Sequence, residues 1–331
     1  MALMSMFLLA ACVTVKEGSA AAKPVYRVWP EPPAEPHVAY LQSVYKPADA
    51  GVRWSGTKRL SHWLFGADTG QGSLTRPFGV ALDEADNLCI ADTGAAMVCF
   101  LDRTRKTWQS WDKIGSMELI SPVAFVKQKS TFIVADSGLR KVLAFDGKGK
   151  LLFEFAQPMI RPSGLAIAGD KLFVADAGEH HILIFELGGK YLAAFGKRGT
   201  GPGEFNYPTH LATDAKGRLF VTDSMNFRIQ IFDASGRYEG AIGTVGDSSG
   251  TLSRPKGVAV DRDGNIYVVD ALFDNLQIFD QSGRFLLAVG EAGEAAGEFW
   301  MPAGIAISRE GLIYVADSYN RRIQVLKHLQ P

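Results

Sequence analysis

The chain repeats itself, and no other feature restricts its fold as strongly. An aspartate closes a short run of β-branched and aromatic residues at Asp92, Asp136, Asp176, Asp223, Asp270 and Asp317, at spacings of 44, 40, 47, 47 and 47 residues. A proline precedes each by 14 or 15 residues: Pro77, Pro122, Pro162, Pro208, Pro255 and Pro302. Three residues before every proline stands a large apolar side chain, namely Leu74, Leu119, Met159, Phe205, Leu252 or Phe299. Three anchors in a common register, repeated six times, mark structural units that stack on copies of themselves.

Each unit holds four short strand patterns. In the fourth they are Leu211–Thr213, Leu219–Thr222, Ile229–Phe232 and Tyr238–Ile242. Asp214-Ala215-Lys216-Gly217 and Asp233-Ala234-Ser235-Gly236 lie between them as turns. Aspartate supplies a side-chain acceptor there, and glycine supplies the left-handed backbone of a tight hairpin. Four antiparallel strands per unit describe a propeller blade; helical repeats need a 3.6-residue period. The sixth unit ends at Ile323-Gln324-Val325-Leu326 without its outer strand, and His37–Val44 carries the missing pattern. The expected fold is therefore all-β: a six-bladed β-propeller of four-stranded antiparallel blades over residues 37–329. The N-terminal strand completes the last blade and closes the ring, which pairs an otherwise open edge.

Composition agrees with one packed ring. Length alone, at 331 residues, would suggest two domains of roughly 150 residues. Hydrophobic residues at 47% and charged residues at 21% exclude global disorder. Lys+Arg and Asp+Glu balance at 35 each, so a general polyanion binder is not expected and nucleic acid is not a predicted partner. Three cysteines exclude a disulfide scaffold. Cys89 and Cys99 sit on a hairpin centred near Gly94 as near-opposite neighbours, where a disulfide or two buried thiols would both fit.

Residues 2–11 form an apolar run too short to span a bilayer, as in a signal peptide over residues 1–11. Leu9-Ala10-Ala11-Cys12 resembles the lipobox of bacterial lipoproteins, which implies lipidation of Cys12. No Lys or Arg precedes the run, a departure from that pattern. Residues 12–36 contain Trp29-Pro30-Glu31-Pro32-Pro33-Ala34-Glu35-Pro36 and read as a proline-rich, extended tether. Leu60, Trp63 and Leu64 predict a short amphipathic helix within residues 53–66.

Gly201-Pro202-Gly203-Glu204-Phe205-Asn206-Tyr207-Pro208 and Val221-Thr222-Asp223-Ser224-Met225-Asn226-Phe227-Arg228-Ile229-Gln230 resemble the NHL repeat. So does Val315-Ala316-Asp317-Ser318-Tyr319-Asn320-Arg321-Arg322-Ile323-Gln324. The likeness is specific in units four to six and fades in units one to three, where Asn and Arg leave the loop. With the lipobox and tether, the chain looks like a bacterial NHL-repeat lipoprotein. That resemblance implies a monomeric propeller, lipid-anchored on the periplasmic side of the cell envelope, binding an envelope or periplasmic protein.

Residues common to all blades are expected to serve the blade. The recurring aspartate can cap a loop, and Arg228 and Arg322 can pair with it. Binding sites should then lie where blades differ, on the face carrying the loop into the inner strand and the loop after the second strand. Three constellations qualify there. Tyr207, Met225, Phe227, Leu272, Phe273, Trp300 and Tyr319 form a one-sided apolar patch on blades four to six, with the residue types of protein interfaces. Arg76, Arg161 and Arg254 precede the prolines of alternate blades and suit an anion. His180, His181 and His210 offer imidazoles to a divalent metal. Peptidyl-hydroxyglycine lyases, which are NHL-like propellers, use a histidine-held metal near the axis, so a metal-dependent lyase or hydrolase is the enzymatic alternative. The leading expectation is a non-catalytic binding propeller without cofactor that uses the apolar patch; sensing a small anion is the other alternative. Asp261-Arg262-Asp263-Gly264-Asn265 reads as a turn and not as a calcium loop.

Overall fold

Second and third strands of every unit are apolar on both faces, because each blade is a sheet sandwiched between two others. The computed structural model describes residues 27–52 and 72–329. In blade 1 the strands Pro77–Leu82, Leu88–Asp92, Met97–Asp102 and Thr107–Trp111 run from the axis outward, each antiparallel to the next. Blades 2 to 5 repeat this order, beginning at Pro122–Gln128, Pro162–Ala168, Pro208–Thr213 and Pro255–Val260. Blade 6 is built from Ile305–Ile307, Leu312–Asp317 and Arg322–His328, and its fourth strand is Val38–Val44. The pairing runs from Val38↔His328 to Val44↔Ile323, so the two ends of the fold close the ring.

One apolar cluster fills each junction between neighbouring blades. The junction of blades 6 and 1 joins Val44, Tyr314 and Ile323 to Leu88, Ile90 and Leu101. The six apolar anchors before the prolines are all buried in these junctions or beside them. Burial of such side chains contributes roughly 1.5–3 kcal/mol each, and a ring shares that gain over every blade.

One expectation needs correction, and one open alternative is resolved. The stretch expected as a free tether already belongs to the propeller at its end: Val28–Trp29 adds a fifth strand to blade 6, and Trp29 is buried with Tyr267 and Phe299. Cys89 and Cys99 are free, buried thiols. Cys89 pairs with Phe100 and Cys99 with Ile90, a one-residue offset. Strand side chains alternate, so the two thiols enter opposite junctions, Cys89 toward blade 2 and Cys99 toward blade 6. The turn at Asp261 is a turn, its carboxylate accepting the Asp263 and Asn265 amides at 2.9 and 2.8 Å. The expected signal segment, Cys12 and the helix within residues 53–66 lie outside the described residues.

The recurring aspartates are completely buried and tie each second strand to the loop that enters the inner strand. In blade 1, Asp92 accepts the Thr75 and Arg76 amides at 2.7 and 2.8 Å, and those of Gly94 and Ala95 at 3.0 Å each. Asp136, Asp176 and Asp270 do the same with backbone donors. In blades 4 and 6, side chains replace part of this set. Asp317 accepts Trp300 N at 2.8 Å, Asn320 Nδ2 at 2.9 Å, Arg322 Nε at 2.7 Å and Gln324 Nε2 at 3.0 Å. Arg322 also donates to the Ala295 and Glu298 carbonyls, and Arg228 repeats the pattern on Asp223, Gly201 and Glu204. The Asn and Arg of the repeat are thus structural, as expected. Arg322 is 3% exposed and Arg228 17%. Arg322→Ala leaves a buried carboxylate short of its partner and should cost about 3–5 kcal/mol in urea denaturation. Arg228→Ala, nearer to water, should cost less.

Candidate functional site: the mouth of the axial channel

Six inner strands meet at the axis, where the residue two after each proline decides how closely they approach. A Cβ on Gly79 would lie 2.3 Å from the Val123 carbonyl oxygen, and one on Gly164 2.3 Å from that of Thr209. Glycine is required there by contact with the adjoining blade. In blade 4 the position is His210, which is buried and stacks beside Phe78 at 5.3 Å between ring centroids. At this ring the inner strands enclose a neck cavity of only about 30 Å³, with His210 in its lining.

Above the neck the channel opens into a cavity of about 280 Å³. Arg76, Arg161 and Arg254 line it together, so the arginines of alternate blades do converge. Lys256 joins them from the inner strand of blade 5. Phe78, Thr93, Ser121, Val123, Met301, Pro302, Ala303, Ser318 and Tyr319 also line it, and among the described residues its lining holds no carboxylate. Among the described residues none of the four cationic side chains has an ion-pair partner. The Lys256 ammonium lies 5.9 Å from the centroid of Phe78, its one cation–π contact. Burial first, then the charges of Arg254 and Arg161, bring the Lys256 ammonium down to about 8. Burial and the charge of Lys256 hold His210 neutral, down to about 3. Both His210 ring nitrogens are buried without a hydrogen-bond partner.

Lys256 was absent from the sequence-derived sites, although a signal existed. The residue after the proline is Phe78, Val123, Ser163, Thr209 or Ala303 in the other blades, so lysine is the charged exception.

The histidines are not brought together as a metal centre. Among the described residues no three His, Cys, Asp or Glu side chains are placed to hold a metal ion. His180 Nδ1 accepts the Tyr207 amide at 3.2 Å, and its ring meets the Tyr207 ring at 5.1 Å. His181 begins the third strand opposite Asp176. His210 alone reaches the axis. The physical reason is register: His180 closes a hairpin toward blade 4, whereas His210 projects from an inner strand.

The apolar patch is present in altered form. Tyr207, Met225, Leu272, Trp300 and Tyr319 are exposed, and the Trp300 and Tyr319 rings lie 5.6 Å apart. Phe227 and Phe273 are half-buried. Ile120 and Ile160 are exposed on blades 2 and 3, two residues before their prolines. The apolar surface is therefore a collar around much of the mouth and not a one-sided arc.

A family model described as a 6-bladed beta-propeller (DUF5128) matches residues 156–217, 210–272 and 251–326. No curated protein matches. Among solved structures, a catalytically inactive virginiamycin B lyase from Staphylococcus aureus with quinupristin is 15% identical with a TM-score of 0.56, covering 77% of this chain and 96% of that one. Kuenenia stuttgartiensis hydrazine synthase is 14% identical with a TM-score of 0.55, covering 77% and 96%. A chain of a nidogen/laminin complex is 16% identical with a TM-score of 0.54, covering 72% and 84%. At these identities the likeness is one of fold.

The Lys256 environment has a signed consequence. An unfolded lysine releases its proton near about 10.4, above the folded value, so the unfolded chain binds the extra proton between those values. Folding stability should therefore rise as pH increases from about 8 toward the unfolded value. Denaturation of wild type and Lys256→Met across this window should show the rise in wild type and a flatter profile in the variant. Equal profiles would remove the assignment. Anion affinity should fall over the same window as the ammonium is lost.

Proposed function

Because this chain belongs to the 6-bladed beta-propeller family, we propose that it is a binding propeller whose axial mouth receives an anionic group of its ligand. The observation that carries this reading is four cations lining one cavity whose described lining residues include no carboxylate. Arginine suits the role because its planar fork binds carboxylate or phosphate through two parallel hydrogen bonds. The apolar collar surrounding the mouth would hold the rest of a larger ligand, with Trp300 and Tyr319 as anchors. In this reading the propeller is of the NHL type, held by a lipid on Cys12 in a bacterial envelope, and its ligand is part of an envelope protein or peptide. The propellers of similar fold include a lyase and a nidogen chain bound in a laminin complex, so the fold itself does not choose. The dispersed histidines give the metal-enzyme alternative no support.

Thermal melts of the full chain in low salt test the reading. Phosphate, citrate or an aspartate-rich peptide should raise Tm, since ligand at about 100 times Kd adds about 2.7 kcal/mol. Arg161→Ala/Arg254→Ala should keep the unliganded Tm and lose the shift; failure of every anion to raise Tm sinks the reading. A second measurement addresses the collar. Leu272→Ser and Trp300→Ser alter exposed side chains, unlike changes at half-buried Phe227 or Phe273. They should abolish crosslinking to an envelope partner that wild type captures, with Tm unchanged. Equal capture would exclude the collar.

A further inference from the structure

Resting on the anion-binding reading, we propose that the mouth is a pseudo-threefold site for a dianionic phosphate-monoester group, with Ser137, Ser224 and Ser318 as positioning residues. The three arginine loops are fastened alike. The amides of Arg76, Arg161 and Arg254 donate to Asp92, Asp176 and Asp270 at 2.8, 2.8 and 3.0 Å. The next residue is proline, and its carbonyl is held from the preceding blade. Ser318 Oγ donates to the Pro77 carbonyl at 2.6 Å, Ser137 Oγ to that of Pro162 at 2.6 Å, and Ser224 Oγ to that of Pro255 at 2.9 Å.

These serines follow the recurring aspartate in blades 2, 4 and 6, where blades 1, 3 and 5 carry Thr93, Ala177 and Ala271. Arginines and serines therefore alternate in step around the ring. Each Arg-Pro loop is held at both ends, by its own blade and by its neighbour. Such loops fix the backbone from which the three guanidinium groups extend around the cavity, so less ordering remains when an anion binds.

The charge count and the symmetry select the ligand. A monoanion would offset one of four cations, and a dianion offsets two. Three guanidinium forks around one axis match three equivalent oxygens of a tetrahedral group, leaving the fourth for the substituent. Lys256 adds a point charge from the inner strand. Below, His210 lines the small cavity among the inner strands, and its neutral, unpartnered ring has one N–H to donate. The monoester could belong to a small molecule or to a phosphorylated side chain; the chemistry at the mouth is the same.

Calorimetric titration of the full chain at pH 7 tests this with phenyl phosphate, inorganic phosphate, dimethyl phosphate, citrate and acetate. A phosphoserine peptide and its unphosphorylated form distinguish the macromolecular source. Phenyl phosphate should bind at least about tenfold tighter than dimethyl phosphate, citrate or acetate, a difference of about 1.4 kcal/mol. Ser137→Ala, Ser224→Ala and Ser318→Ala should each reduce that preference several-fold, and Ser137→Thr should restore it. Ser163 Oγ holds the Pro208 carbonyl at 2.8 Å beside Tyr207 and not beside an arginine. Ser163→Ala should therefore change Tm without changing the preference, which separates positioning from general stability. Should the serine variants fail to fold, Arg161→Gln and Arg254→Gln at exposed positions must still abolish the preference. If citrate or acetate binds as tightly as phenyl phosphate, this inference falls while the anion-binding reading stands. If no anion binds, both fall.

Discussion

A buried aspartate carboxylate that accepts main-chain amides from the loop entering its own blade's inner strand is the interaction on which this propeller depends. It recurs in every blade and joins the end of the second strand to the entrance of the inner strand. A buried carboxylate without such donors would be strongly unfavourable, so the donors and the loop path are specified together. In four blades the donors are backbone groups, and in blades 4 and 6 an Asn-Arg-Gln set shares the work. In blades 1, 2, 3 and 5 the same carboxylates thereby place the residue before the proline; in blades 4 and 6 that residue, Tyr207 or Met301, donates its amide to His180 or Asp274 of the preceding blade.

That placement links stability to binding. Arg76, Arg161 and Arg254 sit one residue from the prolines, so their loops inherit the rigidity of the aspartate bonds. Serine clasps from neighbouring blades extend this rigidity around the ring. Burial in six junctions, closed by Val38–Val44, keeps the blades at fixed angles. The mouth can then concentrate positive charge that no internal acid offsets, at a cost carried by the whole ring. Repulsion and burial register that cost at Lys256, whose proton is held more weakly than usual.

Much of this was legible in residue order. The spacing of Pro, Asp and the apolar anchor gave blade number and strand order, because the turns and strand pairings between those anchors are made within one unit. The completion of blade 6 followed from a strand missing at one end and present at the other. The arginines were legible because Arg-Pro recurs in alternate units. Lys256 was missed because it occurs once, and its departure shows only when the residue after the proline is compared across all six blades. The choice between a disulfide and two thiols stayed open because it turns on a one-residue register offset that reverses the face. The histidine cluster failed because adjacency in sequence between loops says nothing of which side chain points to the axis.

Sequence by itself determined the propeller: local turns, alternating strands and repeated anchors leave a ring of six blades as the arrangement that buries both faces of every sheet. Tertiary structure alone decided the site. Which cations share a cavity, which serine holds which proline and which imidazole stays unpartnered depend on contacts between blades. Those contacts join residues from separate repeats, and the curvature of the closed ring sets them.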